Sequence, residues 1–142
     1  MRPYYATEAD WPEIEALLRA SCLSSEERHD HITQYMIARD KSGLLGCAGI
    51  ERYETTCVLR SLAVAQRARS AGLGELLISA IVADVRQQGI ETIVLQTKTA
   101  SGYFARLGFA PISLSDIPSS VRPSHEFDRS ANEIGTLMQT SL

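Results

Sequence analysis

Residues 59–77 read LRSLAVAQRARSAGLGELL, and this stretch decides the fold. An apolar, strand-like run leads into a basic, glycine-bearing turn, and the turn opens an amphipathic helix. A helix N-terminus carries backbone N–H groups without intrahelical partners and the positive end of the peptide dipoles, so it accepts phosphate readily. Arg67 and Arg69 stand on the turn. Gly72 and Gly74 have no side chain where an anion would approach the backbone. The pattern is that of a cradle for a nucleotide-type cofactor.

Two other cradles do not fit. A dinucleotide fold needs G-x-G-x-x-G; Gly72 and Gly74 supply two glycines, but Leu77 occupies the place of the third. A P-loop needs Gly-Lys-Ser/Thr, and no such triplet follows either glycine. The hexapeptide Arg69-Ser70-Ala71-Gly72-Leu73-Gly74 instead resembles the Q/R-x-x-G-x-G/A acyl-CoA motif of the GNAT N-acetyltransferases. The preceding Leu62-Ala63-Val64, the following helix and the later Tyr103-Phe104-Ala105-Arg106-Leu107-Gly108-Phe109 fall in that family's order and spacing.

The chain of 142 residues is long enough for one domain spanning 1–142 with a core of its own. A net charge of −3 argues against an extended nucleic-acid surface. Cys22, Cys47 and Cys57 give an odd number of thiols without a C-x-x-C pair, which suits a reducing compartment, and no segment has the length of a membrane span. A cytoplasmic location is expected. His29 and His31 form H-x-H with no third ligand evident, so no metal is expected.

Periodicity predicts a short first strand over 2–6 and a helix opened by a capping box at Asp10-Trp11-Pro12-Glu13. A loop or short helix follows over 24–30. Strands over 33–39, 44–52 and 57–64 make an antiparallel meander, and a helix covers 73–88. A central strand over 90–96, a helix over 101–107, a strand over 109–114 and a last strand over 133–139 complete the chain. Tyr4, Tyr5, Tyr35 and Tyr53 read as strand aromatics.

The resemblance implies an α/β fold with a mixed sheet of six to seven strands, mostly antiparallel. It also implies one splayed pair of parallel strands with flanking helices. The cofactor would be acetyl-CoA. Pantetheine would lie along a bulged strand at Leu62, Ala63 and Val64, and its pyrophosphate on the turn of Arg67, Arg69, Ser70, Ala71, Gly72, Leu73 and Gly74. The family often has an asparagine where Thr97 stands, and a tyrosine that protonates the leaving thiolate where Phe104 stands. Tyr103 is one position earlier, about 100° away around a helix. It is carried as the candidate acid, and Glu51 as the candidate base.

Residues 59–64 are similar to the acetyltransferase domain of N-acetylglutamate synthases and to small N-acetyltransferases associated with arsenic resistance. That similarity implies a small, amino-acid-like amine as acceptor. Arg60, beside Ser61, would bind an anionic group of the acceptor or else pair with a neighbouring strand. The expected reaction is direct acetyl transfer in a ternary complex. A non-catalytic acyl-CoA sensor and a protein N-terminal or lysine acetyltransferase stand as alternatives. A homodimer remains open.

Overall fold

The computed structural model describes residues 2–21, 33–98, 100–117, 121 and 135–142. The expected loop at 24–30, together with Cys22, His29 and His31, lies outside them. The strands are β1 (Tyr4–Tyr5), β2 (Gln34–Asp40), β3 (Gly43–Tyr53), β4 (Thr56–Val64), β5 (Thr92–Thr97), β6 (Ala110–Ile112) and β7 (Thr136–Ser141). They form one sheet in the order β1-β2-β3-β4-β5-β7-β6. Among the described residues only β4 and β5 run parallel; every other neighbouring pair is antiparallel. The fold class read from the sequence is the one observed.

Among the described residues three α-helices flank the sheet: α1 (Trp11–Ala20), α2 (Leu73–Gln87) and α3 (Ser101–Arg106). A strand alternates its side chains between two faces. On β3, Ala48 and Ile50 pack toward α2, where Leu73, Leu77, Ile78, Ile81 and Val85 are buried with Leu59, Leu95 and Phe104. Cys47 faces the other way, into a second cluster with Ile14 and Leu18 of α1 and with Ala63. Val58 and Val94 carry a third cluster with Ile117 and Val121. Between α1 and that third cluster, on the same sheet face, come Gly49, which pairs with Ser61, and Glu51, which pairs with Val58.

Local details depart from the sequence expectations for physical reasons. Asp10 does not cap α1 with its side chain; its carboxylate accepts from the Thr7 backbone N–H at 2.9 Å and from Arg39 at 3.0 Å. Glu13 is drawn to the Leu44 N–H and to Arg39, tying α1 to the β2–β3 hairpin. Ile90 is buried but precedes β5, which begins only where pairing with β7 becomes available at Thr92. β7 covers Thr136–Ser141, displaced toward the C-terminus from the expected strand.

The register of β3 on β4 shifts between Gly49 and Ile50, which leaves Arg60 as the extra residue of a β-bulge. The bulge thus stands before Leu62, Ala63 and Val64 rather than at them. Parallel pairing of β4 with β5 ends at Leu59 and Leu95. Beyond that point β4 still follows β3 as far as Val64, and β5 follows β7 as far as Thr97. The sheet therefore opens between residues 60–64 and residues 96–97.

α2 sits low on the sheet because Gly46 lies beneath it. A Cβ there would stand 2.9 Å from Leu73 Cδ2, 3.2 Å from Leu77 Cδ1 and 3.1 Å from the Ala63 carbonyl oxygen. Gly46→Ala should destabilise the fold by about 1–3 kcal/mol, the usual range for overpacking. Urea unfolding reads this directly, and an unchanged midpoint would mean that α2 does not approach so closely.

Candidate active site

The turn before α2 is built from left-handed backbone. Ser70 (φ +69) and Gly72 (φ +76) both adopt that conformation, and such turns present successive N–H groups to one side. α2 opens with Leu76 N–H on the Gly72 carbonyl, and no side chain caps its first turn. A Cβ on Gly72 would meet nothing within 4 Å. Open space thus faces uncapped N–H groups, and these residues fit a phosphate.

The two arginines of the turn both bond to groups of the chain itself. Arg67 is bound to Asp40 by two hydrogen bonds, at 2.8 and 3.0 Å, and also donates to the Gly43 carbonyl. The guanidinium, with the Ser42 N–H, holds the Asp40 carboxyl down at about 2. Arg67 therefore points at the β2–β3 turn. Arg69 donates from Nε to the Val64 carbonyl at 3.2 Å, bracing the end of β4 against the turn.

At the bulge stands a buried ion pair. Arg60 Nη1 donates to Glu51 Oε2, and the two side chains are 2% and 0% exposed. Glu51 Oε1 accepts from the Tyr53 hydroxyl at 2.8 Å, and Oε2 lies 3.4 Å from Thr33 Oγ1. Both carboxylate oxygens are therefore engaged by protein donors. Of the two arrangements open for Arg60 in the sequence, the cross-strand pair is present, beside Ser61 on the sheet face between α1 and the third cluster.

On the α2 side, Phe104 is buried, edge-on to Phe109 at 5.7 Å and to Tyr103 at 5.2 Å. Tyr103 is half-buried and lies over Gly74, where a Cβ would overlap the phenolic oxygen and stand 3.7 Å from Leu62 Cδ2. Burial and the nearby Glu75 carboxylate raise the Tyr103 phenol above its ordinary range. Thr97 accepts the Ala100 N–H at 3.0 Å and ends β5 at the mouth of the gap. Burial pushes the Cys47 and Cys57 thiols up to about 12, so neither is a thiolate near neutrality.

The structure brings Arg60, Ser61, Leu62, Ala63 and Val64 onto one edge of the gap, with the turn through Ala71 and Leu73 at its end. Tyr53 and Thr33 were not picked out from the sequence. Tyr53 lies two residues from Glu51 on the same strand, and that period-2 spacing was the available signal.

A family model described as an acetyltransferase (GNAT) domain matches residues 31–111. The chain belongs to the GNAT acetyltransferase family. Among its relatives, an uncharacterised N-acetyltransferase of Chlorobaculum tepidum is 30% identical over 69% of this chain and 63% of its own length. An amino-acid acetyltransferase of Neisseria meningitidis is 29% identical over 84% of this chain, which covers only 30% of that protein. The chain thus spans about two thirds or less of the curated relatives it matches.

Among solved structures, N-acetylglutamate synthase from Neisseria gonorrhoeae, complexed with coenzyme A and N-acetyl-glutamate, superposes with a TM-score of 0.83 at 24% identity. All of this chain and 35% of that one are covered. A GNAT-family acetyltransferase from Staphylococcus aureus gives a TM-score of 0.80 at 18% identity, over 99% of this chain and 98% of that one. At these identities both likenesses bear on the GNAT fold alone.

The Glu51–Arg60 pair makes a stability prediction. Removing one partner leaves a buried charge without compensation, so Glu51→Gln should cost about 3–5 kcal/mol. Arg60→Met in the same chain should recover part of that loss, because it removes the buried charge that Glu51→Gln leaves without a partner. Denaturant unfolding of the two single variants and the double variant measures the coupling; strictly additive losses would contradict it.

Proposed function

We propose that this domain transfers the acetyl group of acetyl-CoA to the primary amine of a small amino acid or amino-acid analogue bearing an anionic group. The observation that carries the reading is the gap opened at the Arg60 bulge, with an uncapped helix N-terminus at one end and a buried arginine at the other. The amino-acid acetyltransferases among the relatives support the acceptor class. The CoA-bound GNAT structures among the neighbours support the donor.

Acetyl-CoA supplies an acyl carbon activated by a thiol that leaves readily. The N–H groups of residues 71–74 hold its pyrophosphate, and the backbone of Leu62, Ala63 and Val64 lines the pantetheine arm and polarises the thioester carbonyl. Arg60 and Ser61 orient the acceptor's anionic group. The amine lone pair attacks the acyl carbon, the C–N bond forms, and the C–S bond breaks with its electrons on sulfur. One proton leaves the nitrogen to water. Glu51 acts through Arg60, since its oxygens are engaged within the sheet. The buried, protonated Cys47 and Cys57 thiols favour direct attack over an acetyl-cysteine intermediate. A reducing, cytoplasmic setting fits the same thiols.

A second reading, an acyl-CoA sensor without turnover, is favoured by one observation: Phe104 is buried where the family's tyrosine acid often stands. Thiol release from acetyl-CoA over a panel of acidic amino acids, phosphinic and arsenical analogues, neutral amines and peptides separates these readings. Acidic amino acids or their analogues should be turned over most efficiently. Arg60→Lys should lower kcat/KM for them roughly tenfold or more, mainly through KM, because lysine cannot copy the planar two-bond fork. Equal use of neutral amines, or equal losses on both classes, would contradict the acceptor assignment. Binding of acetyl-CoA without thiol release over the whole panel would favour the sensor.

A further inference from the structure

Gly74 is the second glycine of the motif, and its neighbourhood differs from that of Gly72. Around Gly72 a Cβ would meet open space, and the left-handed φ of +76 explains the residue by itself. Gly74 lies within α2 and is not among the residues with positive φ, so its backbone does not demand glycine. In a helix, glycine is less favourable than alanine by about 1 kcal/mol. What excludes a side chain at Gly74 is the Tyr103 phenol, whose oxygen occupies the place a Cβ would take.

The phenol comes from α3, on the far side of the gap in chain order, and reaches the first turn of α2 beside Leu62 of β4. Its ring is fixed from behind by Phe104, edge-on at 5.2 Å. Among the described residues the hydroxyl has no hydrogen-bond partner, although it stands where the first-turn N–H groups of α2 are uncapped. Burial and Glu75 keep it protonated, and hence a donor, at neutral pH.

We infer that Gly74 is bare in order to seat the Tyr103 phenol, and that the Tyr103 hydroxyl donates to a pyrophosphate oxygen of the bound acetyl-CoA. Tyr103 is then a cofactor-binding residue, not the acid that protonates the departing thiolate. This rests on the acetyl-CoA reading above and deepens it. The first turn of α2 offers backbone N–H donors; Tyr103 adds a side-chain donor from the opposite wall, so the anion is gripped from two elements. A hydrogen bond to a charged acceptor is among the stronger single contacts, which makes the loss measurable.

The experiment is a double-mutant cycle with Gly74→Ala and Tyr103→Phe, read in two ways. Without cofactor, Gly74→Ala should lower the thermal midpoint when Tyr103 is present and raise it in the Tyr103→Phe background, where the added methyl finds room. By calorimetry, Tyr103→Phe should weaken acetyl-CoA binding about tenfold. Gly74→Ala should weaken it by a similar factor alone and by less than twofold in the Tyr103→Phe background. In steady-state kinetics the loss in Tyr103→Phe should fall mainly on KM for acetyl-CoA rather than on kcat.

An equal effect of Gly74→Ala in both backgrounds would overturn the pairing, since the glycine would then serve the phosphate directly. A kcat loss of a hundredfold or more in Tyr103→Phe, with affinity intact, would make Tyr103 the acid and overturn the assignment. If the unmodified chain fails to bind acetyl-CoA, the acetyltransferase reading falls and this role for the hydroxyl falls with it. Binding with a strictly additive cycle would overturn the present inference alone.

Discussion

The bulge at Arg60 is the constraint on which the site depends. An extra residue in one strand of an antiparallel pair bends that strand and increases its twist. Here it does so where the parallel ladder between β4 and β5 stops, at Leu59 and Leu95. Past this point each strand keeps its other partner, β3 for β4 and β7 for β5, while the two no longer pair with each other. Backbone groups that a continuous sheet would consume face a gap instead. A ligand with amides of its own can add to such an edge much as a strand would.

Charge is distributed around that gap unequally, and burial decides what each charge does. Arg67 with Asp40 is an exposed pair, screened by water, and it shapes the β2–β3 turn more than it stabilises the fold. Arg60 with Glu51 is almost wholly out of water, and there each partner depends on the other. The bulge thus carries a cation held by a carboxylate that is itself held by Tyr53 and Thr33. An arginine fixed in this way has little side-chain freedom left to lose.

Much of this was legible in the sequence because it follows from local chemistry. The meander, α2 and the glycine turn are dictated by period-2 and helical spacing and by Gly72, whose left-handed φ the turn requires. The boundaries of β5 and β7 were less legible, since they are set by each other: Ile90 is apolar and buried but has no partner strand. The capping box at Asp10 failed because Thr7 and Arg39, the latter distant in sequence, compete for the same carboxylate. The Arg67–Asp40 pair was not legible for the same reason; only the folded hairpin brings Asp40 within reach. The pairing of Glu51, the candidate base, with Arg60 was not legible because it depends on the register of β3 on β4, which the bulge shifts by one residue.

On the proposed function, the opening between β4 and β5 is the channel that takes acetyl-CoA. A crystal structure of the chain with coenzyme A tests it most directly. The pyrophosphate should lie on the N–H groups of residues 71–74, with the pantetheine arm entering beyond Leu59 and Leu95 and running along Leu62, Ala63 and Val64. Coenzyme A bound elsewhere, or a β4–β5 ladder that closes past Leu59 in the complex, would contradict it.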